Sequence, residues 1–460
     1  MEHYDKLAIT NADDLVFGRC PRPLEVGGLS IGGGTVYPEL NFTLPPMAIN
    51  ASTIARVYDE YRQISNEACA RAVALEVPGV VFELELLPEL TREPKWGAEI
   101  TSLLRQCLDS YRASHGLVGA LRVTPNDNRD FVRPPLMRSG AELEHMMATF
   151  EACAEAGADM FSIESTGGKE LHDDALLNGD LPLAVFSLGV LAARDMAQLW
   201  DMIVKVGGDH GVVPAGDSAC GFANTAMMLA SGGFIPHVWA AAVRVMTVPR
   251  SLVAYERGAV GPSKDCAYEG PYIKAITGYP IAMEGAEAAC AHLSLVGNVA
   301  KAAADLWSNE SVQNIKLLGG MAPTVSMEQL AYATRLMNVA GAQGKANELR
   351  DWFVASDANR DPQAFVLAPE VVVALASEIV AEPSAYLRTR KAAQASLASL
   401  RQATSEGALK LARAEQRWLD RLSAQADDLP DDEDVFIDQV IEQADMDKVC
   451  LEEYGLARTS

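Results

Sequence analysis

Closely spaced cysteine pairs are missing from this sequence. Its eight cysteines, at 20, 69, 107, 153, 220, 266, 290 and 450, stand singly, with no C-x-x-C. That argues against a compact structural zinc knuckle or a disulfide framework and fits free thiols in a reducing compartment. Positive charge is also scarce: 38 Lys and Arg against 62 Asp and Glu, so 38 − 62 = −24. Such a chain repels phosphate backbones and anionic bilayers, and neither nucleic acid nor membrane is an expected partner. Much of the acid falls late, in DDLPDDEDVFIDQVIEQADMD, and reads as a solvated face. The opening MEHYDKLAITNADDLVFG lacks the basic start and apolar run of a secretory signal. The longest apolar run, LPLAVFSLGVLAA, is too short to span a bilayer. The expected location is therefore the cytoplasm. Phosphate-binding glycine patterns are absent too: no G-x-G-x-x-G follows the first recognisable strand, and neither GGMAPT nor GPSKDC completes a P-loop.

What is present is a long globular chain of 460 residues, 49% of them hydrophobic. Single cores stop growing near ~250–300 residues, so one large catalytic domain with additions is expected. Residues 1–50 are Gly/Pro-rich and read as an extended lead-in; a helix follows over about 51–75. PGVVFELEL, GLVGALRVTP and ADMFSIES read as strands, separated by the helical stretches TREPKWGAEITSLLRQCLDSYRASHG and SGAELEHMMATFEACAEAGA, the second with Ser139 as its N-cap. HGVVPAG reads as a fourth strand and SVQNIKLLGG as a late one, with LSLVGNVAKAAADLWSNE helical between them. Residues 172–206 and 222–260 read as mostly helical, as do 325 onward, including a polar stretch over 385–424 and a terminal helix over 434–453. Alternating strands and helices mean a parallel sheet. Of a doubly wound sheet and a TIM (β/α)8 barrel, the barrel explains why polar residues recur at the carboxyl ends of successive strands: Glu85, Thr124 to Asn126, Glu164, then Asp217 to Cys220. The expected organisation is an N-terminal wrap and helix (1–75), a barrel catalytic domain (76–325) and a helical C-terminal extension packed on it (326–460).

The chemistry-bearing residues concentrate around Gly211 to Gly278. Glu164, Cys220 and Cys266 come from three separate segments, each followed by a Gly-containing turn (ESTGG, CGF, CAYEG). Three protein ligands drawn from Cys, His and carboxylate, each on its own segment, suit a catalytic zinc with an open position. Spacing alone leaves other readings open. A buried Cys is a common core residue, and Glu164 could pair with an Arg. Cys290 and His292 could form a Cys-x-His pair, but residues two apart on a helix do not face each other, which favours a core Cys and a polar His. His210 reads as an exposed residue before a strand, and the remaining cysteines as structural.

Longer strings say more. GDSACGFANTAMMLA, AVRVMTVPRSLVAYERGAVGPSKDCAYEGPYIKAITG, PIAMEGAEAACAHLSLVGN and LWSNESVQNIKLLGGMAPTV resemble the methanol:corrinoid methyltransferases, in particular their methanol-activating zinc subunit. The resemblance runs from NADDLVFG to beyond residue 330 and is weaker in the acidic C-terminus. It implies a TIM barrel with extra helices, one zinc held by Glu164, Cys220 and Cys266, and docking to a small corrinoid protein as a homo- or hetero-oligomer. It further implies transfer of a methyl group from methanol to Co(I) of a corrinoid that the partner carries. Two thiolates and a carboxylate weaken the Lewis acidity of zinc, so a nearby acid would help hydroxide leave as water. Asp217 and Asp265 are the candidates beside the cysteines, with Glu85 behind them. Alternatives are another small methyl donor, such as a methoxylated compound, a non-catalytic scaffold for the corrinoid protein, and a zinc lyase or hydrolase.

Overall fold

A computed structural model describes residues 2–43, 47–266, 268–285, 293–312 and 315–456. Cys290 and His292 lie outside the described residues. Seven parallel strands form one sheet: β1 (Tyr37–Thr43), β2 (Val80–Glu85), β3 (Gly119–Thr124), β4 (Met160–Ile163), β5 (Val213–Asp217), β6 (Ala282–Glu284) and β7 (Leu306–Val312). Their order is β5-β4-β3-β2-β1-β7-β6. The registers are staggered: Asn41 stands opposite Glu83, but Glu83 opposite Arg122 and Arg122 opposite Met160. Such stagger lets a sheet curl round on itself. An irregular run occupies the place of an eighth strand: the Val260 and Gly261 N–H groups donate to the Pro214 and Ala215 carbonyls of β5 at 2.9 and 2.7 Å.

Strand alternation separates two environments. Outward residues, among them Leu40, Val80, Phe82, Leu84, Leu121, Val123, Phe161 and Ile163, are buried against the surrounding helices. Inward residues change character along each strand. At the amino ends, Tyr37, Val81, Ala120, Met160, Ala215, Ala282 and Leu306 form one apolar layer. An antiparallel hairpin, Arg19–Val26 with Leu29–Gly33, presses Leu29 and Ile31 into that layer and plugs the lower end of the sheet. Toward the carboxyl ends the buried interior turns ionic, with Glu39, Asn41, Glu83, Arg122, Thr124, Glu284 and Ser308.

The sheet holds two strands the sequence reading misplaces. β1 lies within the stretch read as a lead-in and is flanked by β2 and β7. The ladder strand near the end is LWSNESV, read as the end of a helix; among the described residues beyond it, strand pairing is limited to a short hairpin (Lys316–Leu317 with Gly320–Met321). Both strands carry polar residues on their inner face, which hides them from a reading based on apolar content. Ser139 does not cap its helix: Gly140 holds the N-cap position of Ala141–Glu155, and the Ser139 hydroxyl donates to Glu453 at 2.7 Å. The polar stretch over 385–424 is two helices, Ala385–Ser405 and Arg413–Asp427, parted near Gly407 at φ +77°. Leu181–His210 is long and apolar enough to cross a membrane, yet 83% of that apolar window is buried inside the protein, as in a core helix.

Candidate metal and substrate site

Glu164 follows β4 directly, Cys220 opens the helix Cys220–Ser231 after β5, and Cys266 ends the irregular run that fills the eighth position. One ligand atom from each lies within 4.8 Å of the other two. The Cys266 Sγ–H donates to Glu164 Oε1 at 3.1 Å. Ser218 links the thiols: its Oγ accepts from the Cys220 N–H at 3.1 Å and lies 3.2 Å from Cys266 Sγ. The Asn224 amide donates to Cys220 Sγ at 3.0 Å. Below this loop the buried Glu269 carboxylate accepts from the Ala219 N–H at 3.0 Å and the Ser251 hydroxyl at 2.6 Å.

Two sulfurs and one carboxylate oxygen at this spacing match the ligand chemistry and reach of zinc. The thiol energetics point the same way. The hydrogen bond from Cys266 pulls the Cys220 thiol down, but burial and the nearby Glu164 and Glu284 carboxylates outweigh it, and Cys220 is pushed up to about 12. Burial, then Cys220 itself, pushes Cys266 well above the usual thiol range. Both sulfurs hold their protons until a cation displaces them. A second set, Asp265, Cys266 and Glu284, is equally close. There, however, Asp265 is engaged by Lys264 at 2.6 Å and Glu284 by the Tyr268 hydroxyl at 2.6 Å.

Lys264 is the cation at the centre, wholly buried. Its Nζ lies 2.6 Å from Asp265 Oδ1, 3.0 Å from Glu164 Oε1, 3.5 Å from Glu83 Oε1 and 3.9 Å from Glu85 Oε1. The GPSKDC run thus places its lysine among carboxylates rather than on an anion. Arg122 lies deeper, 2.9 Å from Glu39, and its Nη1 donates to Ser162 Oγ and to the Pro262 and Ser263 carbonyls at 2.7–2.9 Å. It thereby anchors the irregular run that carries Lys264 and Cys266.

The two aspartates expected beside the cysteines are both buried, and neither lines the cavity beside Glu164, although burial raises the Asp217 carboxyl. Asp217 faces the helices: Arg250 donates to it at 2.9 Å, Trp200 Nε1 at 3.1 Å and the Ser165 N–H at 3.4 Å. Asp265 is buried, which alone would raise its carboxyl. The Lys264 charge and hydrogen bond override this and hold it below the usual carboxylate range. Glu85 differs. Burial, opposed by Lys264, pushes it up to about 8, and Asn41 Nδ2 donates to its Oε2 at 3.1 Å. Glu85 lines a cavity of about 210 Å³ with Thr124, Asn126, Phe131, Glu164 and Gly221. Burial likewise pushes Glu39 and Glu83 up to about 8. Sequence reasoning missed Glu39, Asn41, Glu83 and Arg122. The available signal was a charged residue at every second position of a strand otherwise apolar, as in VVFELE.

Comparison with known proteins gives one consistent picture. The family model described as methanol-cobalamin methyltransferase B subunit matches residues 1–455. A methanol–corrinoid protein co-methyltransferase of Methanosarcina barkeri is 37% identical over 448 residues, covering 96% of each chain. The crystal structure of the methanol:cobalamin methyltransferase complex MtaBC from Methanosarcina barkeri contains a chain that superposes with a TM-score of 0.95 at 36% identity, covering 99% of this chain and 100% of that one.

Proposed function

Because the chain belongs to the methanol–cobalamin methyltransferase B-subunit family, we propose that it activates methanol and passes the methyl group to the Co(I) corrinoid of a partner protein. The observation that carries the site assignment is the convergence of Glu164, Cys220 and Cys266 within 4.8 Å beside a cavity of about 210 Å³. These three side chains hold one zinc ion in this reading, on a (β/α)8-type barrel whose eighth stave is the irregular run 260–266. Bound there, zinc supplies Lewis acidity toward an alcohol oxygen.

The reaction is methanol plus Co(I) plus a proton, giving methyl-Co(III) and water. The methyl carbon leaves oxygen for cobalt. The C–O electron pair stays on oxygen, and cobalt supplies the pair for the new bond. The oxygen then needs a proton to leave as water. In this reading Glu85 carries that proton: it lines the cavity, and burial pushes its carboxyl up to about 8. Asn41, donating to Oε2, orients its carboxyl. Phe131 and Thr124 narrow the space around the donor. Sites for drug-sized ligands run ~300–1,000 Å³, so a cavity of about 210 Å³ suits a small donor such as methanol. A non-catalytic scaffold would have no use for one buried and one half-buried thiol held against a carboxylate. We place the enzyme in the cytoplasm, where its free cysteines stay reduced.

The test is metal content together with methyl transfer. Wild type should hold about one zinc per chain and methylate Co(I) corrinoid protein only when methanol is supplied. Cys220→Ala and Cys266→Ala should lose both properties while keeping their circular dichroism. A folded wild type without zinc would refute the proposed site.

A further inference from the structure

Three anionic ligands around one dication leave one negative charge over. Uncompensated, that surplus blunts the pull of the ion on an alcohol oxygen. The structure places a compensating charge against the ligands themselves. Lys264 Nζ is 3.0 Å from Glu164 Oε1 and 3.9 Å from Cys266 Sγ, and it is 2% exposed. Burial matters here, because a charge out of water acts through a weak dielectric. The rival claims on this ammonium are limited. Asp265 takes part of it at 2.6 Å but also accepts from Asn41 at 3.4 Å and Ser308 at 3.2 Å. Glu83 and Glu85 stand farther off, at 3.5 and 3.9 Å, than Glu164 at 3.0 Å. Arg122 faces Glu39 and two carbonyls, and Lys169 on the cavity wall is turned to Asp173.

Resting on the zinc reading above, we infer that Lys264 is a positioning residue whose ammonium cancels the surplus negative charge of Glu164, Cys220 and Cys266. It would keep a held cation electrophilic, and its contact with Glu164 Oε1 fixes that carboxylate in place. Lys264 repels the metal slightly while sharpening it, so its removal should separate metal affinity from turnover.

The experiment compares Lys264→Met and Lys264→Arg with wild type, each loaded with zinc and assayed with corrinoid protein and methanol. Zinc affinity is measured by competition with a chromophoric chelator. Lys264→Met should hold zinc as tightly as wild type or more so, yet lose more than tenfold in kcat with a smaller change in the KM for methanol. Lys264→Arg should recover much of the kcat. In protein reconstituted with Co²⁺ in place of zinc, the thiolate-to-metal charge-transfer band should shift in Lys264→Met and return toward wild type in Lys264→Arg. Should Lys264→Met fail to fold, Lys264→Met with Glu83→Gln removes one potential charge of each sign, and it is read against Glu83→Gln alone. Full kcat in a zinc-loaded Lys264→Met, or an unmoved charge-transfer band, would overturn the inference. Wild type without zinc would instead overturn the reading on which it rests.

Discussion

Arg122 Nε lies 2.9 Å from Glu39 Oε1 inside the curled sheet, and both side chains are wholly out of solvent. Removing one member of a buried pair strands the other, at a typical cost of ~3–5 kcal/mol. Arg122 also holds the Pro262 and Ser263 carbonyls, so its loss should reach Cys266. Arg122→Met is expected to lower unfolding free energy by about 3–5 kcal/mol and to weaken zinc binding. Denaturant titration and chelator competition on the same preparation check both effects.

Glu85→Gln should keep zinc and fold but lower methanol-dependent turnover by roughly 10²-fold, the scale of a lost general acid. In wild type, turnover should fall as pH rises through about 8, where Glu85 gives up its proton. The Gln variant should lack that limb. A variant with wild-type kcat across pH 6–9 would assign the proton to another group.

Stability of the metal-free protein should run against the usual trend with pH. Glu39, Glu83 and Glu85 each rise from an ordinary 4.5 to about 8 on folding. Between those values the folded chain binds more protons than the unfolded one, so stability falls as pH rises. His172, pushed down to about 3 by burial, opposes this only below its ordinary 6.5. Above about pH 7 Cys107, pulled down to about 7 by its hydrogen bond with Cys69, opposes the trend, while His237, raised by its bond to Asp361, adds to it, so over about pH 6.5–8 three carboxyls and one imidazole act against one thiol. Denaturant midpoints should be higher at pH 6.5 than at pH 8, and a flat profile would show that these carboxyls are ionised when buried.

The C-terminus supports the Glu164 loop from outside: the Gly168 N–H donates to the Tyr454 hydroxyl at 2.9 Å. Tyr454→Phe strands that buried donor and should cost about 1–3 kcal/mol, with a faster zinc off-rate and unchanged secondary structure. Stopped-flow release to a chelator reads the rate.

The strands carrying Val80, Gly119 and Met160 were legible because their outward faces are strongly apolar and turn residues bound them. The three proposed zinc ligands stood out because long strings around them resemble one family. The strands Tyr37–Thr43 and Leu306–Val312 were not, because Glu39, Asn41, Ser308 and Glu310 interrupt their apolar runs. Those residues look like loop chemistry until the sheet closes around them. Lys264 was visible as a residue but not as a role, since what defines it is the set of carboxylates brought to it from β2 and from the turns beside β4 and the eighth position.

Among the described residues, the hairpin that seats Leu29 and Ile31 closes the amino end of the sheet, and the cavity beside Glu164 lies at the carboxyl ends of the strands. In the proposed reaction a corrinoid is too large for a cavity of about 210 Å³ and approaches it from its mouth. Where alcohol and water use the same mouth, the order of events is fixed. Methanol enters before the acceptor covers it, and water waits until the acceptor lifts. Excess corrinoid protein should therefore slow turnover at low methanol by sealing empty sites, and that inhibition should vanish as methanol is raised.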